Sequence, residues 1–526
     1  LLHVLRHINA DDGLLVVEQE LGQRTRQLGL AHPRRAEEQE GTQRPTGVVE
    51  AGAGGADGVG DGRQRLLLAD HPPPQPLLHP DQLLHLALEH AVDRDAGPLA
   101  DHLGDVALVH LFLDESAASG LIDQPAAPSN VTHQILSRVL NAGFAPQSLA
   151  VDLLNVAVSV FTADLRAWRG YEADRWTRSF TLYVPVSDPD IWDRSKDALS
   201  EIASFLTGDR WHFEFRPRAW FETAHPATRR DGLPKTVCLF SGGLDSFVGG
   251  IDLLAPGEKI ILVGHYGTKR DQEDVFKALL PKYADLVTPF WFHLLPPLLD
   301  AEHRGEPTMR SRSLLFFALG TAVASALGEH RRLLIPENGL ISLNVPLTPA
   351  RLGSHSTRTT HPYTMALYRR LLASLGLQLS IELPYRFKTK GEMLVEVKDE
   401  NTLRRGVHKT MSCAHPAYAR YQDLPPGQHC GYCVPCIIRR AALHRANLDT
   451  EPRHVDVLDP ELPARAPAGA DKRAFQIALR RLQSMKPFEI AAEVLNSGPI
   501  EPAHLSASAA VYVRGMEEVR CFLERC

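Results

Sequence analysis

Thr236-Val237-Cys238-Leu239-Phe240-Ser241-Gly242-Gly243-Leu244-Asp245-Ser246, continued by Phe247 to Leu254, is the stretch on which the fold turns. A short apolar run, a bend of small residues and an amphipathic segment together predict strand, tight loop and helix. Gly242 and Gly243 let the backbone approach a ligand closely and adopt φ values that other residues resist. Their amides, with the Ser241 and Ser246 hydroxyls, are expected to face an anion at the helix N-terminus. There the helix dipole and unpaired N–H groups favour phosphate. No Gly-Lys-Ser/Thr follows, so this is not a Walker loop. The plainer alternative is a βα turn in which Ser and Asp only cap a helix.

Further along, Lys259 to Gly264 predicts a second strand, leading through His265-Tyr266-Gly267-Thr268-Lys269-Arg270 to a helix ending near Leu280. Leu333-Leu334-Ile335-Pro336-Glu337-Asn338-Gly339 predicts another strand entering a loop. In an open α/β sheet, ligands gather at the carboxyl ends of strands, which places Glu337 and Asn338 to meet one. A carboxylate and an amide suit the donor edge of a guanine-like base, and a polar loop with a helix cap is the competing explanation. The hydroxyl-rich stretch around Arg358 suits a carboxylate or phosphate, or equally a solvated loop. Arg310, Arg312 and Lys269 are candidates to neutralise phosphates, against simple surface charge.

Cys413, Cys430, Cys433 and Cys436 are separated by sixteen, two and two residues, with Gly431 and Pro435 between them. One loop carrying three cysteines can wrap a tetrahedral ion, and Cys413 can close it across a hairpin. Four thiolates with no vacant position describe structural rather than catalytic zinc. His415 and His429 lie close enough in sequence to replace one thiolate. Cys238, inside a strand, reads as inert packing, and Cys521 and Cys526 as free thiols.

The 526 residues suffice for several domains, and 44% hydrophobic with 23% charged residues is an ordinary globular composition. Against 63 acidic side chains there are 57 basic ones, a balance that argues against a nucleic-acid-binding face. The apolar run Ser313 to Leu327 is too short to span a bilayer, so no membrane association is expected. No leader pattern opens the chain, and clustered rather than paired cysteines fit a reducing compartment; a cytoplasmic location is expected.

Composition shifts near residue 125. Before it, Phe112 is the only aromatic, and Lys, Met, Trp, Tyr and Cys are absent. The chain begins at Leu1, and Met309 is its first methionine. Residues 1–125 are therefore expected to be a disordered extension, an accessory domain, or a mis-assigned gene start. From there a small α/β domain is expected over 126–222, with strands at Asn155 to Ala163, Phe180 to Val186 and Trp211 to Phe215. The helix Asp190 to Leu206 falls between the last two. Thr223 to Pro234 reads as a linker.

Ser-Gly-Gly-x-Asp-Ser after a strand resembles the PP-loop ATP pyrophosphatases. Several later segments are similar to 7-cyano-7-deazaguanine synthase within that class. They are the segment running into Tyr266, Met309 to Phe316, Lys388-Thr389-Lys390-Gly391-Glu392 and Thr410-Met411-Ser412-Cys413. The likeness covers about 236 to 446, although the first gap between cysteines is longer here than in that family.

The resemblance implies an α/β fold: a PP-loop parallel sheet over 233–400, a zinc-binding segment over 401–450 and a helical tail over 451–526. It implies ATP with Mg²⁺, held by Ser241, Gly242, Gly243, Leu244, Asp245, Ser246, Tyr266, Lys269 and Arg312, with Asp245 and Ser246 catalytic. Asp245 would order the loop or meet Mg²⁺. Glu337, Asn338 and Arg358 would bind a deazapurine, and Zn²⁺ would sit on the four cysteines. The added 126–222 domain and tail look like the enlarged synthase-like proteins of Qat-type anti-phage systems. That form implies a partner protein, and a homo-oligomer is a further expectation.

Overall fold

The computed structural model describes residues 107–108, 112–114, 130–132, 135–217, 234–266, 271–294, 305–306, 308–328, 331–351, 358–415, 428–460, 462 and 467–525. Lys269, the linker over 223–233, Cys526 and most of the expected 1–125 extension lie outside these residues. Two short strands do come from that extension: β1 (Ala107–Leu108) and β2 (Phe112–Asp114), the latter pairing in parallel with β3 (Asn130–Thr132).

β1 lies beside β4 (Ser179–Val186), which pairs in parallel with β5 (Arg210–Pro217). Between β4 and β5 runs the helix Pro189–Thr207, capped by Asp188 at its start and ended by Gly208 at φ +78°. The expected strand at Asn155 to Ala163 is a helix instead. It belongs to Ser148–Arg166, a 19-residue helix buried along nearly its whole length. Its valines favour a strand, but a helix enclosed on all sides loses the polar face that would mark its period. By length and apolarity this helix is enough to cross a membrane, yet most of it is buried inside the protein.

The main sheet contains β6 (Thr236–Leu239), β7 (Ile260–Tyr266), β8 (Val287–His293), β9 (Arg332–Leu334) and β10 (Ser380–Glu382), in the order β10-β9-β6-β7-β8. Every pairing is parallel. All residues of β6 and β7 are buried, as strands covered on both faces require. Their side chains divide by alternation. Val237, Leu239, Ile261 and Val263 face one core, and Cys238, Phe240, Ile260 and Leu262 the other.

The helix Leu244–Leu254 covers the second face and the helix Arg312–Ser325 the first. At Gly320 a methyl group would lie 2.7 Å from Leu239 and Leu333, so glycine allows that helix to sit directly on the sheet. The first core continues without a break into the Ser148–Arg166 helix and the β4–β5 sheet. The N-terminal layer is thus fused to the main sheet through shared apolar packing.

The helices Ala470–Ser484, Pro487–Leu495 and Pro502–Glu524 form a third core with the helix Val434–Arg445. The molecule is a mixed α/β protein built on parallel sheets, with a C-terminal helical layer.

Candidate functional site

The chain runs outward from β6 to β8 on one side and returns to β9 and β10 on the other. The order reverses between β6 and β9, which makes their carboxyl ends the usual place for a ligand in such sheets. Two segments leave the sheet there: Ser241–Ser246 after β6 and Ile335–Asn338 after β9.

Gly242 takes φ +82°, a conformation that favours glycine, and Gly243 caps the helix Leu244–Leu254. Ser241 is exposed, while Asp245 and Ser246 are buried. The Gly243 amide donates to Ser241 Oγ at 3.2 Å, and Ser246 Oγ donates to the Gly243 carbonyl at 2.9 Å. The two serine hydroxyls are 3.3 Å apart. The loop is therefore held by its own serines with its first hydroxyl open to solvent.

Asp245 points inward. Its Oδ2 accepts from the Asn338 amide at 3.1 Å and from Asn338 Nδ2 at 2.7 Å, while Oδ1 is ion-paired with Lys390. Asn338 Oδ1 in turn caps the helix Gly339–Leu343 through the Ile341 amide. Lys390 was expected only as part of a motif; folding makes it the partner of Asp245. Its burial against that carboxylate has no periodic signal in sequence.

Glu337 hydrogen-bonds with Thr360, whose hydroxyl is 2.7 Å from that of Ser342. Burial raises the Glu337 carboxyl to about 7, with the Asp245 charge adding to the rise and the Thr360 bond opposing it. Asn338 thus stands against the helix start behind the glycine loop, with Glu337 beside it in the chain.

Other expected residues are engaged elsewhere. Arg312 donates through Nε to His265 Nδ1 at 3.2 Å and through its terminal nitrogen to the His265 carbonyl at 2.9 Å. Burial, reinforced by Arg312, lowers the His265 imidazole to about 3, so it is neutral and its Nε2 donates to the Leu294 carbonyl. Tyr266 ends β7, its ring 5.3 Å from that of His293. Arg310 stacks over Trp176 and donates to the Thr207 carbonyl at 3.2 Å, which places it against the N-terminal layer. Arg358 likewise stacks 4.4 Å over Phe205 and donates to its carbonyl.

The four cysteines meet as expected. Their sulfurs all lie within 4.8 Å of one another, with Cys413–Cys433 at 4.0 Å and Cys430–Cys436 at 3.8 Å. Disulfide sulfurs sit about 2 Å apart, whereas a tetrahedron of about 2.3 Å zinc–sulfur bonds has edges near 3.8 Å. The thiols therefore fit a zinc ion. Amides of His415 and Cys430 donate to Cys413 Sγ at 3.2 and 3.5 Å, which steadies that ligand.

Neither histidine replaces a thiolate. His429 Nε2 accepts from the Ser412 amide at 3.2 Å, and the His415 ring stacks on Tyr432. Gly431, at φ +85°, turns the chain where a Cβ would meet the Val455 carbonyl at 2.0 Å.

Comparison with known proteins adds no relative: no family model matches the chain, and no curated protein is similar to it in sequence.

Proposed function

We propose that this chain is an ATP-dependent synthase of the 7-cyano-7-deazaguanine type, which adenylates the carboxylate of 7-carboxy-7-deazaguanine. The observation that carries this reading is the position of the Ser241–Ser246 loop at the sheet reversal, joined through Asp245 to Asn338 on the segment that follows β9. A substrate carboxylate oxygen attacks the α-phosphorus of ATP, and the bond to the β-phosphate oxygen breaks. Pyrophosphate leaves toward the loop amides and the Ser241 hydroxyl, which stabilise its charge electrostatically. Ammonia then displaces AMP to give the amide. A second adenylation, on the amide oxygen, lets that oxygen depart with AMP as the nitrile forms.

Asp245 acts by ordering the loop. Donors already occupy both its oxygens, a poor fit to a Mg²⁺ ligand. Glu337, with its raised affinity for a proton, suits a ring N–H or exocyclic amine as acceptor when ionised. Zinc on the four cysteines supplies structural cross-linking when bound.

A second reading is favoured by the N-terminal layer, which shares the main core. In the enlarged, Qat-type anti-phage form, the adenylated group passes to an amine of a partner protein instead of ammonia.

The test is turnover of ATP with 7-carboxy-7-deazaguanine and ammonia, following AMP, pyrophosphate and product mass. Wild type should release AMP and pyrophosphate, and Ser241→Ala should be slower by about ten- to a hundred-fold. Equal release by both proteins, or none by wild type with any carboxylated deazapurine, overturns the assignment. Mass addition on a co-purified protein would favour the second reading.

A further inference from the structure

The glycine loop and the four-cysteine site touch each other through one short segment. Met411 donates its amide to the Gly242 carbonyl at 3.0 Å. The Leu244 amide, the second N–H of the loop-to-helix turn, donates to Ser412 Oγ at 3.4 Å. Cys413, the next residue, is the first of the clustered thiols.

Ser412 is held from two further directions. Its own amide donates to His429 Nε2 at 3.2 Å, and Arg439 donates to its Oγ at 3.3 Å. Arg439 is 1% exposed and lies on the Val434–Arg445 helix, three residues beyond Cys436. It is fixed in turn by Glu451, by Thr410 Oγ1 at 2.7 Å and by the Val407 carbonyl at 2.8 Å.

We infer that Ser412 is a positioning residue for the phosphate loop, set in place by the cysteine site. Its hydroxyl sets the direction of the Leu244 amide, and the main chain on either side connects Gly242 to a metal ligand. Binding of a metal by the thiols orders the 410–413 segment and, through its bonds to Gly242 and Leu244, the turn that carries the exposed Ser241 hydroxyl. This rests on the nucleotide reading above only for what the loop binds; the mechanical link stands by itself. A serine on a separate segment, 168 positions from the amide it accepts, is invisible to any motif centred on the loop.

The experiment compares wild type, Ser412→Ala and Ser412→Thr as full-length, zinc-loaded proteins. Zinc content and cooperative unfolding check that the cysteine site is intact in each. Hydrogen–deuterium exchange reads the Leu244 amide, and calorimetry reads binding of inorganic pyrophosphate. Ser412→Ala should speed Leu244 exchange by about five-fold or more and weaken pyrophosphate binding by about ten-fold, since one hydrogen bond is lost. Ser412→Thr, which keeps the hydroxyl, should restore both to within about three-fold. Chelating zinc from wild type should speed exchange at the same amide. Unchanged Leu244 exchange in Ser412→Ala with zinc retained overturns the inference. Failure of wild type to bind pyrophosphate overturns the nucleotide reading instead, and leaves the exchange result to decide the link.

Discussion

Asp245 and Lys390, 145 positions apart, form a buried ion pair that ties the helix behind the glycine loop to the start of the helix Lys390–Val395. Asn338 donates twice to the same carboxylate, so three segments of chain converge on one side chain. Removing one partner strands the other charge away from water.

Lys390→Met should therefore destabilise the protein by about 3–5 kcal/mol, the usual cost of an uncompensated buried charge. Adding Asp245→Asn should recover part of that loss, because the stranded charge is gone. Urea unfolding of the two single variants and the double variant measures the coupling. Strictly additive losses would show that the pair does not act as a unit.

Arg178 is the corresponding strut of the N-terminal layer. It is fully buried, ion-paired with Asp164 and Asp209, and donates to the carbonyls of Asp164 and Ala167 at 2.8 and 2.6 Å. Asp164 also accepts from the Ser311 hydroxyl at 2.6 Å, just before the helix Arg312–Ser325. Arg178→Lys keeps the charge but not the planar fork, and should cost about 2–4 kcal/mol by thermal or urea unfolding. A loss below about 0.5 kcal/mol would mean that the network is dispensable.

Gly431→Ala should impair the metal site without altering any ligand. The new Cβ would lie 2.0 Å from the Val455 carbonyl, and the residue has φ +85°. Wild-type protein is expected to carry one zinc ion on Cys413, Cys430, Cys433 and Cys436. By elemental analysis after dialysis against a weak chelator, the variant should retain less. Full retention would show that the Gly431 turn is not required.

Glu337 gives a pH signature. Its folded value, about 7, lies above the ordinary carboxyl range, so the folded state binds the proton more tightly than the unfolded chain. Its contribution to stability is then complete below about pH 4.5 and is lost as pH rises through about 7. In Glu337→Gln this fall between the two values should flatten. Unfolding free energies across that window decide it, and an identical slope in both proteins would refute the assignment.

Much of the main sheet was legible from local pattern. Two adjacent glycines after a buried apolar run mark a turn that few other residues can make, and β6, β7 and β9 fall where short apolar runs and punctuation predict them. The cysteine spacing is similarly self-contained, because a two-residue gap on one loop already brings three sulfurs round one point. Pattern failed at Asn155 to Ala163, where burial on every side removed the periodicity that separates helix from strand. It also left the partners of Arg310 and Arg358 unread. A cation's sequence neighbours say nothing about which ring or carbonyl it meets after folding, and both are engaged by the N-terminal layer.

By itself, then, the sequence determined the glycine turn, the main strands and the sulfur cluster, since each depends on backbone geometry and side-chain spacing within a few residues. Only the tertiary structure decided that Asp245 faces Lys390, that Arg312 braces His265, and that Ser412 reaches Leu244. These contacts join segments far apart along the chain, and they become favourable only once parallel packing has brought those segments together and excluded water from between them.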